Sequence, residues 1–130
     1  MMSLDFEQAL YIELTSVTGI GEVFPLNVIE GTKAPYCVYE SSIGMEEKTL
    51  DGYTSSMEMD CTLYIIQSSY AELKQVSRNV LDLLKSFQSR KIGDPDDGVM
   101  VYDFSYENIK ELYDPETFLY QNTIGFTVRI

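Results

Sequence analysis

Histidine and tryptophan are both absent from this 130-residue chain. Without histidine, the usual general base and the commonest metal ligand are missing. No glycine-rich phosphate loop and no Gly-x-Ser-x-Gly elbow takes their place. Cysteine is scarce. Cys37 and Cys61 are the only two, they lack Cys-x-x-Cys spacing, and they fall in stretches that read as strands. They are expected to be reduced, buried small hydrophobes. No apolar run approaches the roughly 18 residues that a membrane helix needs. The opening Met1-Met2-Ser3-Leu4-Asp5-Phe6-Glu7 puts no basic segment before an apolar stretch, and the chain carries no Asn-x-Ser/Thr acceptor. The expectation is a cytosolic protein.

Positive charge is also short. Nine Lys and Arg stand against 21 Asp and Glu, for a net charge of −12. Most of the cations sit between residues 69 and 91, where Lys74, Arg78, Lys85, Arg90 and Lys91 outnumber Glu72 and Asp82. Elsewhere only Lys33, Lys48, Lys110 and Arg129 are basic. A protein that grips nucleic acid draws affinity from neutralised phosphates, so this chain is expected to repel DNA. The neighbouring acids Glu46/Glu47 and Asp96/Asp97 read as solvated loop residues. Asp94-Pro95-Asp96-Asp97-Gly98 resembles a calcium loop only in part, because Val99 and Ser105 stand where Gly and Glu are required. No catalytic residue, cofactor or metal is expected, and the chain does not read as an enzyme.

What is present is an ordinary globular composition, with 45% hydrophobic residues, enough for one core in a chain of this length. Phe6, Ala9, Leu10, Leu14 and Val17 recur at helical spacing, predicting a helix from about Leu4 to Val17 with Ser3 as its cap. Val23 to Leu26 reads as an edge strand because Pro25 cannot donate to a ladder. Pro35 to Glu40 is a second strand. Gly44 to Ser56 is polar and reads as a long loop with an Asp51-Gly52 turn signal. Met57 to Ile66 alternates and makes a half-buried strand. Ser69-Tyr70-Ala71-Glu72 is a capping box that opens a second helix running to about Ser89. Residues 93–98 form a turn, and two strands follow, Val99 to Glu107 and Leu119 to Ile130.

These elements predict one α+β domain over residues 1–130. Two helices cover one face of a mostly antiparallel, mixed sheet of four to five strands. Its core would hold Leu73, Val76, Val80, Leu83, Leu84, Phe104, Phe126 and Val128. In the 99–107 strand, Met100, Tyr102, Phe104 and Tyr106 are expected to share a face. The opposite sheet face would be polar and rich in carboxylates, with Glu58, Asp60, Asp103 and Glu107 against Arg129.

Four segments carry a family resemblance, in order along nearly the whole chain. They are Phe6-Glu7-Gln8-Ala9-Leu10-Tyr11, then Pro35-Tyr36-Cys37-Val38-Tyr39. Asp60-Cys61 with Ser69-Tyr70-Ala71-Glu72 is the third, and Leu112-Tyr113-Asp114-Pro115-Glu116-Thr117-Phe118-Leu119-Tyr120 the fourth. In these the chain resembles the tail-completion proteins of long-tailed bacteriophages and prophages, also called tail terminators or head–tail joining proteins. Met57 and Glu58 depart from the Arg or Gln common there. The resemblance implies a homo-oligomeric ring, commonly a hexamer, at the head-proximal end of the tail. Such a ring stops growth of the tail-tube protein and meets the head–tail connector, while DNA passes through unbound.

On that reading, Glu46, Glu47, Lys48 and Tyr53 of the 44–56 segment are candidate contacts to neighbours or tube. Tyr113, Asp114, Pro115 and Glu116 form a second candidate set. Glu58, Asp60, Asp103 and Glu107 are candidate lumen-facing acids, which would hold the polyanion off the wall. The alternative reading is a monomeric acidic adaptor that binds a basic partner protein.

Overall fold

The computed structural model describes residues 3–28, 30–42 and 44–130. Helix α1 (Ser3–Thr15) buries Phe6, Ala9, Leu10 and Leu14, and Val17 is buried just past its end. The predicted stripe is therefore the core stripe. Ser3 already lies within the helix rather than capping it. Helix α2 (Tyr70–Lys85) starts where the capping box placed it, with the Ser69 hydroxyl accepting from the Glu72 N–H at 3.3 Å. It stops earlier than expected, at Ser86, whose N–H turns back to the carbonyls of Asp82 and Leu83.

Among the described residues, eight strands follow the order β1 (Glu22–Pro25), β2 (Tyr36–Ser41), β3 (Met45–Thr49), β4 (Gly52–Gln67), β5 (Arg90–Ile92), β6 (Val99–Val101), β7 (Asp103–Asp114) and β8 (Leu119–Arg129). Six of them form one mixed sheet in the order β1-β2-β4-β8-β7, with β3 paired to β4. All pairings in it are antiparallel except β1 with β2. Pro25 does sit on an edge strand. The main sheet thus holds one strand more than the upper count predicted.

Two corrections account for the difference. Residues 44–56 are not a loop. They form β3 and the start of β4, joined at Leu50-Asp51. Polar Met45-Glu46-Glu47-Lys48-Thr49 shows no alternation because every residue of β3 is exposed, so no apolar face marks it as a strand. The second correction lies after α2. Val99 to Glu107 is not one strand: β6 pairs with β5 in a separate small sheet, and β7 then joins β8 and runs on to Asp114. The chain switches sheets at Tyr102, which donates its N–H to Arg129 O at 2.8 Å. Side-chain parity changes there. Val99 and Val101 are the buried residues, and Tyr102 is exposed rather than sharing an inward face with Phe104.

One cluster fills the space between the helices and the sheet. Met59, Cys61, Leu63 and Ile65 of β4 and Ile124, Phe126 and Val128 of β8 meet Leu73, Val76, Val80 and Leu84 of α2. Leu83 and Phe104, predicted in that core, pack against it half-buried. The small sheet lies under α1 through Ile92, Val99 and Val101, all buried. There Gly93 passes so close that an added Cβ would come 2.7 Å from that of Ala9.

Candidate functional site

Strand register places the four predicted acids together. Glu58, Arg129 and Asp103 lie side by side across β4, β8 and β7, and Asp60, Thr127 and Ser105 form the next such row. A bulge between Tyr106 and Asn108 admits Glu107 as an extra residue. The Thr127 Oγ1 lies 2.9 Å from Asp60 Oδ1 and 3.1 Å from Glu107 Oε1. A hydroxyl has one proton, so Thr127 serves one carboxylate at a time and holds both within reach of each other. Arg129 is the cation of this field. Its guanidinium lies 3.6 Å from Glu58 and 3.6 Å from Glu47. All four acids are exposed, so the face presents concentrated negative charge to solvent.

The β3–β4 hairpin extends this face past the end of β8, because Met57 exchanges backbone hydrogen bonds with Ile130 and residues 49–56 lie beyond. A register shift between Glu46 and Lys48 sets Glu47 apart, and its carboxylate meets Arg129. Lys48 pairs with Tyr53 and places its ammonium 5.5 Å from that ring centre. Thr49 Oγ1 donates to Gly52 O at 3.2 Å and accepts from Asp51 N–H at 3.3 Å, closing the turn. Leu50 stands at the tip with its side chain fully in solvent.

The second candidate set lies at the opposite end. Gln67, the last residue of β4, is level with Tyr120, and Tyr120 pairs with Tyr113. Between the two hairpins runs the whole of β4, about 50 Å of extended strand. Asp114 accepts from Glu116 N–H at 2.9 Å. That bond, helped by Thr117, holds the Asp114 carboxyl below its ordinary value. Tyr113 turns toward the helix side and stacks on Tyr120 at 4.8 Å, with Tyr70 next in the row at 5.8 Å.

Sequence reading named the Asp51-Gly52 turn and the Tyr113–Glu116 set but passed over the exposed apolar residue at each hairpin tip. Phe118 adopts a positive φ of 59° and is largely exposed, at a position where a four-residue loop usually wants Gly or Asn. A bulky residue just before the final strand was the available signal. Leu50, beside Asp51-Gly52, was another.

The basic segment resolves into two groups. Arg90 and Lys91 serve local structure: Arg90 Nε donates to Ser86 O at 3.0 Å, and Lys91 Nζ donates to Pro95 O and Asp96 O. Lys74, Arg78 and Lys85 instead line a groove of about 360 Å³ between α2 and strands β7 and β8. Leu81, Ile109 and Ile124 supply its apolar lining, and Asp82 and Glu111 its acids. Lys74 lies 2.6 Å from Glu111, a contact that raises the ammonium above its ordinary value. Lys85 lies over the Tyr106 ring at 5.7 Å.

No family model matches the chain, and no curated protein matches it. Its fold is shared with a chain from the virion of a native gene transfer agent particle. The two are 13% identical, with a TM-score of 0.61 over 96% of this chain and 90% of that one.

Proposed function

We propose that the chain is a virion structural protein of the tail-completion type, assembling as a ring, in number six, that caps the tail tube. The observation that carries this reading is the shared fold with a chain of a gene transfer agent virion across nearly the full length of both. Its partners are further copies of itself, the tail-tube protein and the head–tail connector, and its place is the head-proximal end of the tail. The role is structural and involves no turnover.

The arrangement of the surfaces supports it. A ring needs two different patches on each protomer, and the hairpins at opposite ends of β4 offer them. The clustered carboxylates Glu58, Asp60, Asp103 and Glu107 suit a wall past which DNA slides. Repulsion between like charges acts over about 8 Å at physiological salt and keeps the polyanion from sticking. A monomeric adaptor that offers the same acidic face to a basic partner is the competing reading.

Electron microscopy of tail tubes mixed with the purified protein separates the two. Rings seated at one end of tubes of fixed length are expected. Tubes of unregulated length with no added density, together with normal virions from a gene knockout, would refute the proposal.

A further inference from the structure

The groove beside α2 contains two polar groups left unmatched. Ser77 and Asn122 are each more than nine-tenths buried, and neither Ser77 Oγ nor Asn122 Oδ1 has a hydrogen-bond partner among the described residues. Both line the groove. Native interiors rarely leave such groups unpaired unless something else completes them. Both oxygens lie beneath the groove surface with almost no accessible area, so a partner reaches them only if the floor opens, and the chemistry at hand is that of the rim. Arg78 on the same wall makes no ion pair among the described residues. Apolar Leu81 and Ile109 complete the rim, which calls for one aliphatic side chain and one carboxylate.

We propose that this groove is the socket for the β3–β4 hairpin tip, Thr49-Leu50-Asp51, of a second copy of the chain. The tip carries each required group. Leu50 is fully exposed, and Asp51 beside it is an exposed carboxylate that complements Arg78. Its size is in keeping, since about 360 Å³ lies at the small end of ligand sites and suits a turn rather than a helix. The tip cannot fill its own socket. Asn122 is level with Ile65 on β4, about 44 Å of extended strand from Gly52. Tip and socket must therefore belong to different molecules. Tip-to-socket contact is heterologous, so it propagates from copy to copy until a ring closes. The inference rests on the ring reading above for why copies associate, and it names the contact.

Two measurements test it. First, Leu50→Cys chains are mixed with Ile109→Cys chains and oxidised. Cys37 and Cys61 are buried and do not compete. A disulfide-linked mixed dimer is expected in excess of either homodimer. A yield no higher than that of a Leu50→Cys and Leu26→Cys control pair overturns the contact, even if the free chain is monomeric. Second, sedimentation velocity compares Asp51→Arg and Arg78→Glu with the double variant carrying both. Each single change should weaken self-association at least about tenfold, and the double variant should recover most of it.

Single variants that assemble like the parent overturn the socket and leave the ring standing. Arg78→Glu that associates normally but fails to give virions also overturns it, because the groove then serves another virion protein. Rings on tail tubes in the absence of any tip-to-socket crosslink have the same consequence.

Discussion

Glu13 of α1 and Arg90 of β5 meet at 2.8 Å, and the second carboxylate oxygen of Glu13 accepts the Gly93 N–H at 2.9 Å. One mostly buried side chain therefore ties the first helix to the strand that follows the second. Arg90 in turn donates to the carbonyl of Ser86, at the end of α2. Glu13→Ala would leave the Gly93 N–H without its partner, while the more exposed Arg90 guanidinium keeps its bonds to Ser86. The expected loss is about 1–3 kcal/mol in a urea titration. A change under about 0.5 kcal/mol would show that water replaces the carboxylate without cost.

Leu84 tests the core. It has no exposed surface and sits among the residues that join α2 to β4 and β8. Leu84→Ala should cost about 2–5 kcal/mol, with the spread set by how far the site collapses. Leu83, one residue earlier and half-buried, should cost less under the same substitution. Equal losses at the two positions would contradict the helix orientation described above.

Burial pushes the Cys37 thiol up to about 12, and burial, then Asp60 and Glu7, push the Cys61 thiol up as well. The unfolded thiols ionise near the ordinary value of 9.0. Their folded-state values are raised, so this contribution to stability is complete below pH 9 and is lost as pH rises toward 12. Native protein should resist iodoacetamide at pH 9, and both thiols should react once urea unfolds it. Rapid alkylation without denaturant would contradict the burial of both residues.

How much of this was legible depends on whether burial left a pattern. The stripes of α1 and α2 and the alternation of β4 from Met57 onward were plain, because each element hides one face. Pro25 and Ser69 marked an edge and a helix start through local chemistry alone. The hairpin of β3 left no mark, since a strand with both faces in solvent has no period to read. The switch at Tyr102 was invisible for a related reason. An unbroken β-like run does not say which sheet each half joins. The four acids Glu58, Asp60, Asp103 and Glu107 could be assigned to one face by parity, yet their closeness depends on the bulge at Glu107 and on Thr127. The groove was out of reach, because Ser77 and Asn122 are ordinary in sequence and meet only through packing.

The acidic face offers the last test, since it separates stability from function. Asp60 and Glu107 crowd one hydroxyl of Thr127, and Arg129 with its two distant carboxylate partners offsets little of the charge. Exposed ion pairs contribute little to folding, so Asp60→Lys combined with Glu107→Lys should leave the melting temperature unchanged or slightly higher. The change in the wall is far larger. Two carboxylates become two ammonium groups beside Arg129, and a surface that repelled phosphate becomes one that holds it. If this face lines the DNA path, virions carrying the variant should form with tails of normal length yet release DNA slowly. The delay should grow as salt is lowered, because the screening length rises from about 8 Å at 0.15 M to about 30 Å at 0.01 M. Normal release at both salt concentrations would place these carboxylates away from the path. A loss of ring assembly would instead put them at the contact between protomers.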